Sequence, residues 1–211
     1  MDINIKALEV TADTAKEFIQ KLLFPAIEEV GGLLADRLKL FRLKNQVDVL
    51  NRAEKYLTEK NIKTKKISLK VMAPLLENCS LEEDENLKEK WAALIANTVS
   101  EDSELESTLY SHLLSQITNR DAQIFQLIFT LCTTKQEGQT FLYNLKQDTM
   151  VRSSDLSHSF GWDISPSDYN LAIDNLIRLR LIKEVKTYGL TTEMVTLSDL
   201  GFKFKLACDF K

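Results

Sequence analysis

The chain is poor in the residues that punctuate and cross-link. Its 211 residues include only 6 Gly, 3 Pro, 3 Cys and 2 His. So few glycines and prolines leave little material for a turn-rich all-β fold. Cys79, Cys132 and Cys208 are odd in number and far apart, with no Cys-x-x-Cys pair and no His/Cys cluster. That argues against a disulfide framework or a structural zinc, and for buried thiols in a reducing compartment. Long apolar runs are missing too: charges interrupt every hydrophobic stretch before the roughly 18 residues of a spanning helix. The first residues, MDINIKALEVTADTAKEF, lack the basic start and apolar core of a signal peptide. A cytoplasmic protein is the expectation.

What is present is helix-forming and charged. Hydrophobic residues make up 44% and charged residues 27%, an ordinary balance for a chain that buries a core. The net charge of −4 hides a segregation. Residues 1–70 hold 14 Lys/Arg against 10 Asp/Glu, residues 71–115 hold 2 against 10, and the remainder is balanced. Basic and acidic helices facing each other, within the chain or across a homo-oligomer, would exploit this; two solvated faces would produce the same counts.

Apolar positions three and four apart predict a helix over residues 5–22 and a second from Pro25 to about Lys60. The second carries the Gly31–Gly32 pair near its start, and each interior glycine costs a helix about 1 kcal/mol. Pro25, Gly31, Gly32, Arg37 and Arg42 therefore mark a candidate helix-crossing or interaction surface. A basic connector, 61–66, leads to a short helix at 67–78 interrupted by Pro74. Ser80 is the expected N-cap of the next helix, with Glu82, Glu83 and Asp84 in its first turn. That helix reaches about Val99, another runs from Ser103 or Glu104 to about Gln116, and Asn119 or Thr118 caps a further one faced by Ile124, Leu127, Ile128 and Leu131.

After Thr133 the pattern loosens into what reads as an insertion. Order returns with a short helix at 153–161, a helix opened by Ser165–Pro166, strands at 181–187 and 193–197, and a final helix capped by Ser198. Helix, helix and hairpin is the order of a winged helix-turn-helix. The fold expected is mainly α: an N-terminal helical bundle over 1–117, then a winged helix-turn-helix-like region over 118–211 with a small β-hairpin.

A winged helix raises DNA binding. Arg178, Arg180, Lys183, Lys186 and Tyr188 are its best-placed contacts. Against it stand Asp168 and Asp174 early in the recognition helix and a neutral module, since phosphate neutralisation dominates DNA affinity. Nothing marks a catalytic, cofactor or metal site. The acids 82–85 lack the spacing and glycine of a calcium loop, and no GxSxG, Walker A, HExxH or GxGxxG pattern occurs. His158 lies near Ser157 and Asp155, and His112 stands alone; sequence adjacency is not triad geometry. The basic amphipathic face over residues 16–44 suits an interfacial membrane helix as well as a core-facing one.

Two blocks resemble the abortive infection alpha (Abi-alpha) family. The first contains Pro25, Glu29, Gly31, Leu34, Asp36, Arg37, Arg42, Asn45 and Leu50. The second contains Pro74, Leu75, Leu76, Ser80, Glu82, Asp84, Leu87, Trp91, Ala92, Leu94, Ile95 and Ala96. The similarity spans about residues 21–200, with one departure at Ile117–Thr118. It implies bacterial defence against phage and carries over no catalytic residue. The resulting expectation is a cytoplasmic, non-enzymatic antiphage protein acting through a protein partner or its own homo-oligomer, with no cofactor, small-molecule substrate or membrane. The alternatives are a winged-helix DNA-binding regulator and a membrane-disrupting effector.

Overall fold

A computed structural model describes residues 37–103, 105, 108–134, 151–152, 166–185 and 194–210. It is mainly helical with one small antiparallel sheet, and it divides into two compact units: residues to 116 together with 206–211, and residues 117–205. Residues 5–22, Pro25, Gly31, Gly32, the loosened stretch after 134, and the 153–161 helix lie outside the described residues.

The first unit is built on α1 (Arg37–Glu59), α2 (Leu69–Cys79), α3 (Glu85–Val99) and α4 (Leu109–Leu114). Helix α3 is its centre: Trp91 through Ala96 are all buried, so this stretch is apolar on every side and has no solvent face. Val49, Leu50, Ala53 and Leu57 form the stripe by which α1 packs on α3. Burying each large aliphatic contributes about 1.5–3 kcal/mol.

Helix α1 ends in a Schellman motif. Asn61 adopts a left-handed φ of 51°, while Asn61 N–H bonds to Thr58 O at 3.1 Å and Ile62 N–H to Leu57 O at 2.9 Å. The basic connector is then pinned by a bridge between Thr64 and Ser100, with Lys65 N–H on Val99 O at 2.8 Å and Glu101 N–H on Lys63 O at 2.9 Å.

Three local expectations need correction. Pro74 does not interrupt α2, which runs through it; the buried row Val71, Met72, Leu75 and Cys79 holds the helix across the lost N–H. Ser80 is not the N-cap of α3. Asp84 is, its side chain accepting Leu87 N–H at 3.0 Å, while Ser80 closes α2 in the core. Helix α4 starts late because the Ser103 hydroxyl takes the Leu105 N–H at 3.1 Å, giving the backbone a local alternative to the helix.

The second unit comprises α5 (Asn119–Thr134), β1 (Val151–Arg152), α6 (Pro166–Arg178), β2 (Ile182–Val185), β3 (Met194–Leu197) and most of α7 (Asp199–Ala207). The strand order is β1-β3-β2, all antiparallel, with Val151 opposite Val195 and Ile182 opposite Leu197. The two hairpin strands fall where alternation placed them; β1, inside the supposed insertion, was not foreseen. On α5 the buried face is Ile124, Phe125, Ile128 and Cys132, with Leu127 and Leu131 only half-buried. Phe125 and Phe129 meet Phe204 and Phe202 of α7 at centroid distances of 6.0 and 5.9 Å.

Candidate interaction surface

In the first unit most chemistry-bearing side chains hold helix ends. Side chains of α1 add donors to the carbonyls at the C-terminal end of α2. Asn45 Nδ2 donates to Ser80 O at 3.1 Å and Gln46 Nε2 to Leu76 O at 2.9 Å. Arg42 Nε donates to Ser80 Oγ at 2.9 Å, and that hydroxyl donates in turn to Glu77 O at 2.6 Å. Arg42 thus acts as an internal clamp. Arg37 lies in the first turn of α1.

A second clamp holds the C-terminal segment. Asn97 Nδ2 reaches the carbonyls of Leu206, Ala207 and Asp209 at 3.4, 2.9 and 2.9 Å. Lys90 Nζ bonds Asp209 Oδ1 at 2.7 Å, and Phe210 stacks on Tyr56 with centroids 5.1 Å apart. Burial lowers the affinity of the Lys90 ammonium for its proton.

Charged groups between α1 and α3 form a network. Arg52 binds Asp48 at 3.0 Å and Glu85 and Glu89 at 2.5 Å each, and Lys88 binds Glu85 at 2.9 Å. Hydrogen bonds from Lys88 and Arg52 hold the Glu85 carboxyl down at about 2. Burial and the hydrogen bond to Glu89 push the Tyr56 phenol up to about 12. The acidic run divides its labour: Asp84 caps, Glu82 receives the N–H groups of Glu83 and Asp84, and Glu85 joins the network.

The cysteines are buried, and desolvation pushes the Cys79 thiol up to about 12, far from thiolate chemistry at neutral pH. His112 is exposed, with Nε2 2.9 Å from Gln116 Nε2; His158 lies outside the described residues. Among the described residues, no group of three or more His, Cys, Asp or Glu is placed to hold a metal ion, and no helix is long and apolar enough to cross a membrane.

In the second unit the surface candidates meet a different arrangement. Thr118 and Asp121 form a reciprocal capping box at 2.9 and 3.2 Å, and the buried Asp121 carboxylate also accepts Asn175 Nδ2 at 2.9 Å. Arg178 binds Asn175 Oδ1 at 2.8 Å on the same helix. Arg180 sits at the left-handed turn that ends α6, φ 57°, closed by Arg180 N–H on Ile177 O and Leu181 N–H on Leu176 O. Lys183 is exposed on β2, and Lys186 and Tyr188 lie outside the described residues.

Helix α6 buries Tyr169, Ala172 and Leu176, with Leu179 buried just past its end, and turns Ser167, Asp168, Asn170, Leu171, Asp174 and Arg178 outward. Leu171 is 70% exposed, the highest value among the exposed large hydrophobics of the described residues.

Residues 37–208 match the family model for abortive infection alpha. The chain belongs to that family. Neither a curated protein nor a solved structure matches it. Membership in the abortive infection alpha family associates the chain with defence against phage. The match begins at Arg37, after Pro25 and the glycine pair, and runs past Leu200 to Cys208. Both clamps therefore fall largely inside the family segment. Sequence reasoning included Arg42, Asn45 and Ser80 in the resemblance without seeing that they meet. It missed Gln46, Lys90, Asn97 and Asp209, for which no local pattern existed.

Proposed function

We propose that this abortive infection alpha protein is a cytoplasmic, non-enzymatic component of phage defence that acts by binding a protein partner, and that the outward face of α6 is the contact. The supporting observation is the composition of that face. A 70%-exposed leucine stands among Asp168, Asn170 and Asp174, with one arginine near the far end. Charge of that sign repels phosphate, whereas an exposed apolar side chain within a polar rim suits the centre of a protein contact. The non-enzymatic reading draws support from what the polar groups do: Ser80, Asp84, Asp121 and Ser198 are engaged in capping, and Glu85 and Glu89 in ion pairs.

We also read the second unit as a winged helix-turn-helix, supported by α6 leading into β2 and β3 and by β1 adding to β3. In this reading the wing and recognition helix serve protein contact, since the fold by itself does not fix the ligand.

Plaquing efficiency on cells expressing the protein tests the proposal. Leu171→Asp should abolish protection while circular dichroism and thermal midpoint stay unchanged. Protection that survives Leu171→Asp but is lost with R178E/K183E, together with salt-sensitive duplex binding by the natural protein, would replace this reading with that of a DNA-binding regulator.

A further inference from the structure

The charge segregation of the sequence becomes a surface in the first unit. Between Lys60 and Lys70 the chain carries five lysines and no acid. Lys60, Lys63, Lys66 and Lys70 are exposed. The backbone that presents them is fixed on both sides: by the Schellman turn at Asn61, by the Thr64–Ser100 bridge, and by the burial of Ile67. The stretch contains no glycine. Among the described residues, Lys60, Lys63 and Lys70 form no ion pair.

We propose that this lysine row binds the phosphate backbone of nucleic acid, without sequence preference. It lies in the first unit, so the proposal is independent of the α6 contact. The row runs from the end of α1, where the Lys60 ammonium lies 6.0 Å from the Phe210 ring centroid, through the pinned connector to Lys70 in the first turn of α2, and such a run of lysines suits a line of phosphates better than a single compact anion. Its charge is countered in part by the acids around it: Glu59, already 3.8 Å from Lys55, Glu77 on α2, and Glu101 and Asp102 beside the bridge, all exposed. Glu101 stands across from Lys63 in the bridge pairing, so it sets the strength of the surface rather than abolishing it.

The test is fluorescence anisotropy of the full chain with a labelled random-sequence duplex and the matching single strand. Four phosphate contacts predict an affinity loss of about hundredfold between about 50 and about 200 mM salt. Lys60→Glu, Lys63→Glu, Lys66→Glu and Lys70→Glu together should remove binding with circular dichroism unchanged. Glu101→Gln with Asp102→Asn should tighten it about threefold or more, because the local field then favours the polyanion. R178E/K183E should leave affinity as it was. Three results would overturn the proposal: no binding of either probe at low salt, loss of binding with R178E/K183E but not with the lysine variant, or binding to anionic vesicles and to neither nucleic acid.

Discussion

The two units solve the problem of helix ends in different ways. In the first, side chains from distant parts of the chain work beside the local caps at Asn61 and Asp84: Asn45 and Gln46 serve carbonyls 35 and 30 residues away, and Asn97 serves carbonyls 109–112 residues away. In the second, the caps are mostly local. Thr118 and Asp121 are three apart, Ser198 takes the Gly201 N–H at 2.8 Å, and α6 closes on its own left-handed turn. The difference teaches where each unit is vulnerable. The first depends on polar reach, the second on backbone geometry.

The largest effect should come from Gly201→Ala. A Cβ there would collide with the carbonyl of Leu181, its carbon only 2.9 Å away, and both partners are backbone. We expect a loss of about 3 kcal/mol, read by denaturant unfolding and by collapse of amide protection in β2 and β3. Little change would mean that the second unit does not depend on this close approach.

Asn97→Ala comes next. It leaves three carbonyls of the C-terminal segment without their shared donor, at a cost of about 2 kcal/mol. Amide exchange should accelerate in 206–210 first. Asp84→Ala removes a local cap within the first unit and should cost about 1 kcal/mol; a loss equal to that of Asn97→Ala would blur the contrast between reach and local capping. Arg180→Gly should instead stabilise the second unit by about 0.5 kcal/mol, since glycine adopts the left-handed turn without strain.

The smallest effect is electrostatic and belongs to the first unit. The Glu85 carboxyl, held down at about 2 from an ordinary 4.5, favours the folded state fully above about pH 4.5. That contribution fades as pH falls toward 2. The thermal midpoint of the natural protein should therefore drop in this window more than that of Glu85→Gln.

Legibility followed the same divide. Helix spans, the hairpin and the Thr118 and Ser198 caps could be read because their determinants lie within a few residues of one another. Ser80 misled because a good capping residue at a helix start is indistinguishable, locally, from one that ends the preceding helix. Only Arg42 and Asn45, arriving from α1, decide its role. Leu127 and Leu131 misled because periodicity places a side chain on a face without saying how far that face is covered. The Asn97 clamp was invisible, since a lone asparagine in a helix gives no hint of three carbonyls from 206–209.

That clamp has a consequence for how the protein is made. The carbonyls that Asn97 holds emerge from the ribosome about 110 residues after it, about 5–20 s later at ordinary rates of synthesis. The first unit therefore begins to form before the second exists, and closes only after the second has been translated. A nascent chain stalled anywhere in 117–205 would present a first unit lacking its last docking segment. Closure of the first unit thus waits until residues 206–209 have been translated.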